Sequence, residues 1–263
     1  MKLTQIVRTA FLAFLMLHLA SEAYSQDFRD ISSDQIRAPH ISFTMGGLIP
    51  LEDLNVRYGV FGTVLANFAV KEENNFYWGL RCGLINGSFN IEDEPGFLSN
   101  LLTDQGTIID NEGDVAKIKA SGRGGLYGIQ LGKIFDRAVL LPKSNVNSGL
   151  FVRADLGLIH HKIRLDFTEN NITQLEDPYT KGYDRFCLGY FSSFFVGYWH
   201  MSTNKRVNYF IGANFLAAQT YPMRTINFDT GIPDEDVRFD AGIGLEVGWV
   251  FHLYKQTHNQ NWH

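Results

Sequence analysis

The chain has 263 residues, with 23 lysines and arginines against 28 aspartates and glutamates, for a formal net charge of −5. That balance argues against nucleic acid as a partner. Charged residues make up only 19% of the chain, below the usual quarter, while glycine (25 residues) and aromatics (14%) are abundant.

The N-terminus reads MKLTQIVRTAFLAFLMLHLASEAYSQ. Lys2 and Arg8 precede the apolar run Ala10 to Ala20, and Ala23-Tyr24-Ser25 sets small residues three and one before a cut ahead of Gln26. This is the pattern of a secretory signal peptide over residues 1–25. The apolar run is short of the ~20 residues a spanning helix needs. Residues 26–37 are expected to be a short periplasmic N-terminal segment. Beyond the signal no apolar run reaches the ~18 residues that would suggest a membrane helix.

From there the period is two, not 3.6. Eight alternating runs follow, over roughly 38–49, 57–70, 76–89, 121–135, 148–165, 184–201, 207–219 and 238–254. Each has about 11 residues or more, enough for a tilted strand to cross a bilayer, whereas strands of soluble domains average ~5–6. The gaps are about 7, 5, 31, 12, 18, 5 and 18 residues, so from the third strand on long ones alternate with shorter ones. Membrane barrels sort their loops in this way, with short periplasmic turns and longer extracellular loops; a secreted β-sandwich has no reason to. The sequence therefore predicts an all-β fold, an eight-stranded antiparallel up-and-down transmembrane β-barrel over 38–254. A periplasmic tail over 255–263 follows, and the outer membrane of a Gram-negative bacterium is the expected location. Outer-membrane lipid is one expected partner. Cys82 and Cys187, on strands far apart in this topology, are expected to be free, buried thiols.

The faces of the strands carry the chemistry. In SGLFVRADLGLI, Leu150, Val152, Ala154, Leu156 and Leu158 share one apolar face, and Phe151, Arg153, Asp155, Gly157 and Ile159 the other. Trp78, Leu80, Cys82 and Leu84 likewise oppose Tyr77, Gly79, Arg81 and Gly83. In the last strand Ala241, Ile243, Leu245, Val247, Trp249, Phe251 and Leu253 oppose Asp240, Gly242, Gly244, Glu246 and Gly248. A mid-bilayer arginine facing lipid costs about 2–4 kcal/mol, so the charged face is the inner one. Arg81, Arg153, Asp155 and Glu246 fall near the middles of their strands, and Asn214 and Thr63 are candidates to join them. They predict a charge-paired network that plugs the lumen; the sharper alternative is a gate whose pairs rearrange to open a narrow pore.

The signal peptide, alternating strands, Gly-rich inner faces, aromatic ends and unequal loops resemble small bacterial outer-membrane β-barrel proteins, of which the transmembrane domain of outer-membrane protein A is the familiar kind. The resemblance implies a non-enzymatic barrel, with Tyr254 in the place of the family's terminal aromatic. Some barrels of this size resemble enzymes; lipid A deacylases use a His-x-Ser pair with a carboxylate near the outer leaflet. His40 with Ser42 and His200 with Ser202 match that spacing, but this topology puts both pairs at the periplasmic end. His160 and His161 point to opposite faces and cannot chelate one ion; His161 lines the lumen.

No catalytic residue, cofactor or metal site is therefore assigned. Among the loops, DNEGD (Asp110, Glu112, Asp114) lacks the glycine placement of an EF-hand and reads as an acidic turn, and PGFLSNLL as a short helix. The long segment 90–120, with Glu92, and DPYTKGYDRF, with Tyr179 and Tyr183, are the candidate contacts for a protein partner or surface ligand. The function expected is structural or accessory to a surface or secretion complex, ahead of a narrow gated pore and a lipid-modifying enzyme.

Overall fold

The computed structural model describes residues 34–88, 96–136, 145–167, 171–203 and 207–253; the signal peptide, Glu92 and Tyr254 lie outside them. Eight strands run β1 (Ala38–Leu51), β2 (Phe61–Lys71), β3 (Phe76–Ser88), β4 (Lys119–Phe135), β5 (Gly149–Asp166), β6 (Cys187–Met201), β7 (Asn208–Pro222) and β8 (Arg238–His252). Each pairs antiparallel with the next. β8 closes back on β1 with His40 opposite His252 and Leu51 opposite Ala241, so the sheet is a closed barrel without edges.

Alternation decides the two faces. Trp78, Leu80, Leu84, Leu156, Leu158, Leu245, Val247, Trp249 and Phe251 are exposed on the outer wall. So large and continuous an apolar surface belongs against lipid. On β3 the belt runs from Phe76 to Leu84, roughly 20 Å of height at ~3.3 Å per residue and ~40° tilt. Among the described residues no helix is long and apolar enough to cross a membrane. Both cysteines are free, but Cys82 is exposed on the lipid face rather than buried, because its strand neighbours on that face are all outward; Cys187 is buried.

The first gap holds a structure the two-residue period does not reveal. Glu52–Arg57 form a short helix, α1, and β2 starts at Phe61. Glu52 and Asp53 in its first turn and Arg57 in its last complement the helix dipole. Leu54 is 1% exposed and belongs to the apolar cluster inside the barrel. α1 packs along β8, and there Ala241, expected to face lipid, is buried instead. The segment around PGFLSNLL forms a turn and a single 3-10 turn over Ser99–Leu101 rather than a longer helix.

Candidate functional site

The inner faces meet in layers. Nearest the end with short connections lies an aromatic floor of Tyr77, Phe151, Phe195, Trp199 and Phe210. Their rings pack at 4.9–6.0 Å, edge-on for Tyr77 and Phe151 and stacked for Trp199 and Phe210. Gly248 makes room for this floor: a Cβ there would run into the Phe210 ring.

Above the floor, β3, β5 and β8 bring Arg81, Arg153, Asp155 and Glu246 together. Arg81 Nη1 donates to Asp155 Oδ2, and its Nη2 donates to Glu246 Oε1 at 2.5 Å. Arg153 Nε donates to Asp155 Oδ1 at 2.8 Å, and its Nη2 to Glu246 Oε2 at 2.9 Å. Each arginine thus bridges both acids, and all four carboxylate oxygens accept a charged donor. The side chains are at most 5% exposed. Charge this deep is tolerable only when paired and hydrogen-bonded throughout.

Neighbours complete the ring. Ser193 Oγ donates to Asp155 Oδ2 at 2.9 Å, and the Arg153 guanidinium lies 4.7 Å from the Phe195 ring centroid. Gly46, opposite Glu246 on β1, leaves space for it, since a Cβ there would come 3.4 Å from Glu246 Cγ and 2.5 Å from Leu245 O. Asn214 and Thr63 make no hydrogen bond to the ring; with Arg81, Ser193 and Glu246 they line a void of about 10 Å³, the size of one water. Arg81 Nε and Asn214 Oδ1 have no partner among the described residues.

A roof of Leu48, Leu65, Ile85, Leu126, Ile159, Phe191 and Leu216 covers the ring. A second polar layer stands above it. His161 Nε2 lies 2.9 Å from Asp240 Oδ2, its Nδ1 lies 3.3 Å from the Tyr58 hydroxyl, and Thr220 Oγ1 donates to Asp240. His160 lies on the outer wall, its ring stacked on Tyr127.

The long connections fold over this end as a head. Phe97, Leu98, Ile172, Leu175 and Tyr183 are buried in the same apolar cluster as the roof. Asn100 Nδ2 donates to the Tyr183 hydroxyl and to Phe228 O. Asn111 Nδ2 donates to Asn171 Oδ1 and Thr173 Oγ1, and Arg185 pairs with Asp229. Asp234 accepts from Arg57 Nη2 at 3.1 Å and Arg238 Nη2 at 2.8 Å, tying α1 to the last connection. Burial pushes the Asp234 carboxyl up, but Arg238 and then Arg57 outweigh it and hold it below its ordinary value.

The predicted loop contacts separate accordingly. Tyr183 is 3% exposed, so it packs the head rather than presenting a surface; its hydroxyl meets Asn100, a partner 83 residues away. Tyr179 is exposed. Asp110 Oδ1 accepts from the Glu112 and Asp114 backbone N–H groups, which makes DNEGD a self-capped turn with Glu112 and Asp114 outward. Sequence reasoning missed Ser193, Thr220, α1 and the Arg57–Asp234–Arg238 contact. Ser193 and Thr220 sit at inward positions of their strands and were legible by period alone; the others join distant loops.

The two His-x-Ser histidines sit in different surroundings. His40 is buried among Tyr77, Trp199 and His252, with Nδ1 3.0 Å from Ala38 O, and Ser42 Oγ accepts from Asn67. His200 lies half-buried on the outer wall against Tyr198 and Tyr209. Among the described residues, no three His, Cys, Asp or Glu side chains are placed to hold a metal ion.

A closed antiparallel wall satisfies its backbone internally, and its exposed apolar belt needs a lipid surround. The chain is an eight-stranded transmembrane β-barrel. No family model matches it, and no curated protein matches its sequence. Solved structures similar to it include Ail, the attachment invasion locus protein of Yersinia pestis, at 11% identity and a TM-score of 0.37 over 82% of this chain and 99% of that one. The N-terminal β-barrel domain of Pseudomonas aeruginosa OprF shows 14% identity and a TM-score of 0.34 over 83% and 100%. The outer-membrane protease OmpT of Escherichia coli shows 9% identity and a TM-score of 0.32 over 87% and 99%.

Proposed function

We propose that this barrel is non-enzymatic and closed, and that it holds a folded head outside the cell as a structural or accessory surface for a partner protein. The observation that carries this reading is the four-way sharing of Arg81, Arg153, Asp155 and Glu246 between an aromatic floor and an apolar roof. An ion crossing this lumen would have to push apart the close-packed rings of the floor and the aliphatic chains of the roof, and break the ion pairs between them. The head's cross-connections give it the rigidity a docking surface needs, with Tyr179 and Asp177 at its exposed face.

Two measurements test this. In planar bilayers the protein is expected to leave the baseline current unchanged; steady single-channel steps would replace the plug with a narrow gated pore. In a background carrying Cys82→Ser and Cys187→Ser, Asp177→Cys is expected to react with an impermeant thiol reagent on intact cells, and Asn74→Cys is not. The reverse labelling would turn the barrel over. A lipid A mass spectrum altered by expression of the chain would favour a lipid-modifying enzyme instead.

A further inference from the structure

The outer wall is apolar around most of the end with long connections: Ile49 and Leu51 on β1, Tyr221 on β7 and Phe239 on β8 all face outward and are exposed. On β4 and β5 it is cationic. Arg123, Lys162 and Arg164 are exposed at alternate, outward positions. Arg123 stands directly opposite Lys162, and Arg164 opposite Ser121. On the β3 side Asn86 faces Arg123 and Ser88 faces Ser121. The patch is therefore three cations and three neutral donors on one face of three adjacent strands.

Two like charges directly opposite across a sheet destabilise it unless something stands between them. The described residues do not supply that anion. Arg123 and Arg164 form no ion pair among them. Lys162 has only Asp184 at 3.7 Å, and that carboxylate is already held by Arg224 at 2.6 and 2.8 Å. One step further along the same outward face, next to Ser121 and Arg164, Lys119 on β4 is opposed by Asp166.

Height identifies the missing partner. The lipid-facing belt of β3 ends at Leu84, and Asn86, Arg123 and Lys162 share the next outward step in the register. Just below them the stacked rings of Tyr127 and His160 face outward, the level that amphipathic aromatics take at a membrane interface. A cation one step above the hydrocarbon edge sits at headgroup depth, where lipid phosphates lie. Arginine offers a planar fork that fits phosphate oxygens, and Asn86, Ser88 and Ser121 add neutral donors.

We propose that Arg123, Lys162 and Arg164, with Asn86, Ser88 and Ser121, form a site for the phosphate of an outer-leaflet lipid headgroup, whose acyl chains lie down the β3–β5 face over Leu80, Ile129 and Leu156. Its assignment to the outer leaflet rests on the orientation argued under the proposed function. The phosphate site itself does not.

The test is native mass spectrometry of the full chain released from neutral detergent, which is independent of orientation in the cell. Bisphosphorylated lipid A, its dephosphorylated form and inorganic phosphate are the probes. The full chain is expected to retain the bisphosphorylated lipid. Arg123→Gln with Arg164→Gln is expected to retain it about thirtyfold less well, and Lys133→Gln, outward at the opposite end of β4, as well as the parent. The dephosphorylated lipid should not distinguish the proteins. Equal retention of the bisphosphorylated lipid by parent and double variant overturns the site, as does an equal loss in Lys133→Gln. Displacement of the lipid by inorganic phosphate at equal concentration also overturns it, in favour of a soluble anion. Should the double variant fail to show the heat-dependent gel shift of a folded barrel, Arg164→Gln alone, two residues from the strand end, is expected to cut retention about fivefold, and no change there overturns the site equally. Failure of the cell-labelling experiment with this binding intact would move the lipid to the other leaflet and leave the phosphate site standing.

Discussion

The ring at mid-barrel and the Arg57–Asp234–Arg238 contact in the head use the same chemistry, arginines on carboxylates. They differ in what else those groups could do. Ring side chains are at most 5% exposed and come from three strands of a closed wall. The head's three are 6–18% exposed and come from α1, a connection and the first residue of β8. When a head pair opens, water replaces the partner locally. When a ring pair opens, the adjoining void has room for about one water, and more can enter only by unzipping a ladder that closes on itself. The lesson is that an ion pair's importance is set by the alternative available to each charge, not by the pair's geometry.

The sharpest way to break this contrast is to remove one ring member. Glu246→Ala leaves both guanidiniums facing Asp155 alone inside the barrel, and breaking a buried pair in this manner costs about 3–5 kcal/mol. The temperature at which the gel-shift signature of the folded barrel is lost should fall clearly further than for Asp234→Ala. A fall no larger than that of Asp234→Ala would mean that water already reaches the ring. The ring geometry also sets the coupling. Because Glu246 accepts from both arginines, Arg81→Ala and Arg153→Ala should each be non-additive with Glu246→Ala, by about 0.5–3 kcal/mol. Coupling with one arginine only would reduce the ring to two separate pairs.

The same contrast governs what the sequence revealed. The ring was legible because a strand fixes direction: residues two apart share a face, and a lipid environment forbids the charged face from being the outer one. Height along the strand then brought Arg81, Arg153, Asp155 and Glu246 to one level without any knowledge of side-chain geometry. The pairing itself was not legible, since four groups at one height allow several matchings, and only the placement of the wall shows that all four pairs form. In the head no period operates. Tyr183 looked like a surface residue in a mixed aromatic and charged loop, and its burial depends on Phe228 and Asn100, on two other connections. α1 is six residues long, too short for a helical period to stand out against the strands around it, and it displaced Arg57 from the strand pattern into the head. Ala241 keeps the alternation expected of it yet is buried, on the strand along which α1 packs.

The smallest effect belongs to the head, and it separates local from global opening. Arg238 and Arg57 hold the Asp234 carboxyl below its ordinary value against the opposing push of burial. A carboxyl depressed in the folded state stabilises that state above its unfolded value of ~3.9 and loses the contribution as pH falls through the folded value. Proteolysis or hydrogen exchange within 223–237 should therefore be flat from neutral pH down to about 4 and rise only below it. Asp234→Asn should remove that acid step and raise opening at neutral pH, by less than the cost of Glu246→Ala, because these side chains keep some contact with water. Salt should mimic it to some extent, since these side chains touch water. Throughout this range the barrel's unfolding temperature should not follow the head. If 223–237 stays protected in Asp234→Asn at every pH, the connection is held by Phe228 packing against Gly182 and Tyr183 and by Arg185 on Asp229, and the Arg57–Asp234–Arg238 contact is an ornament of a head already fixed by its apolar side.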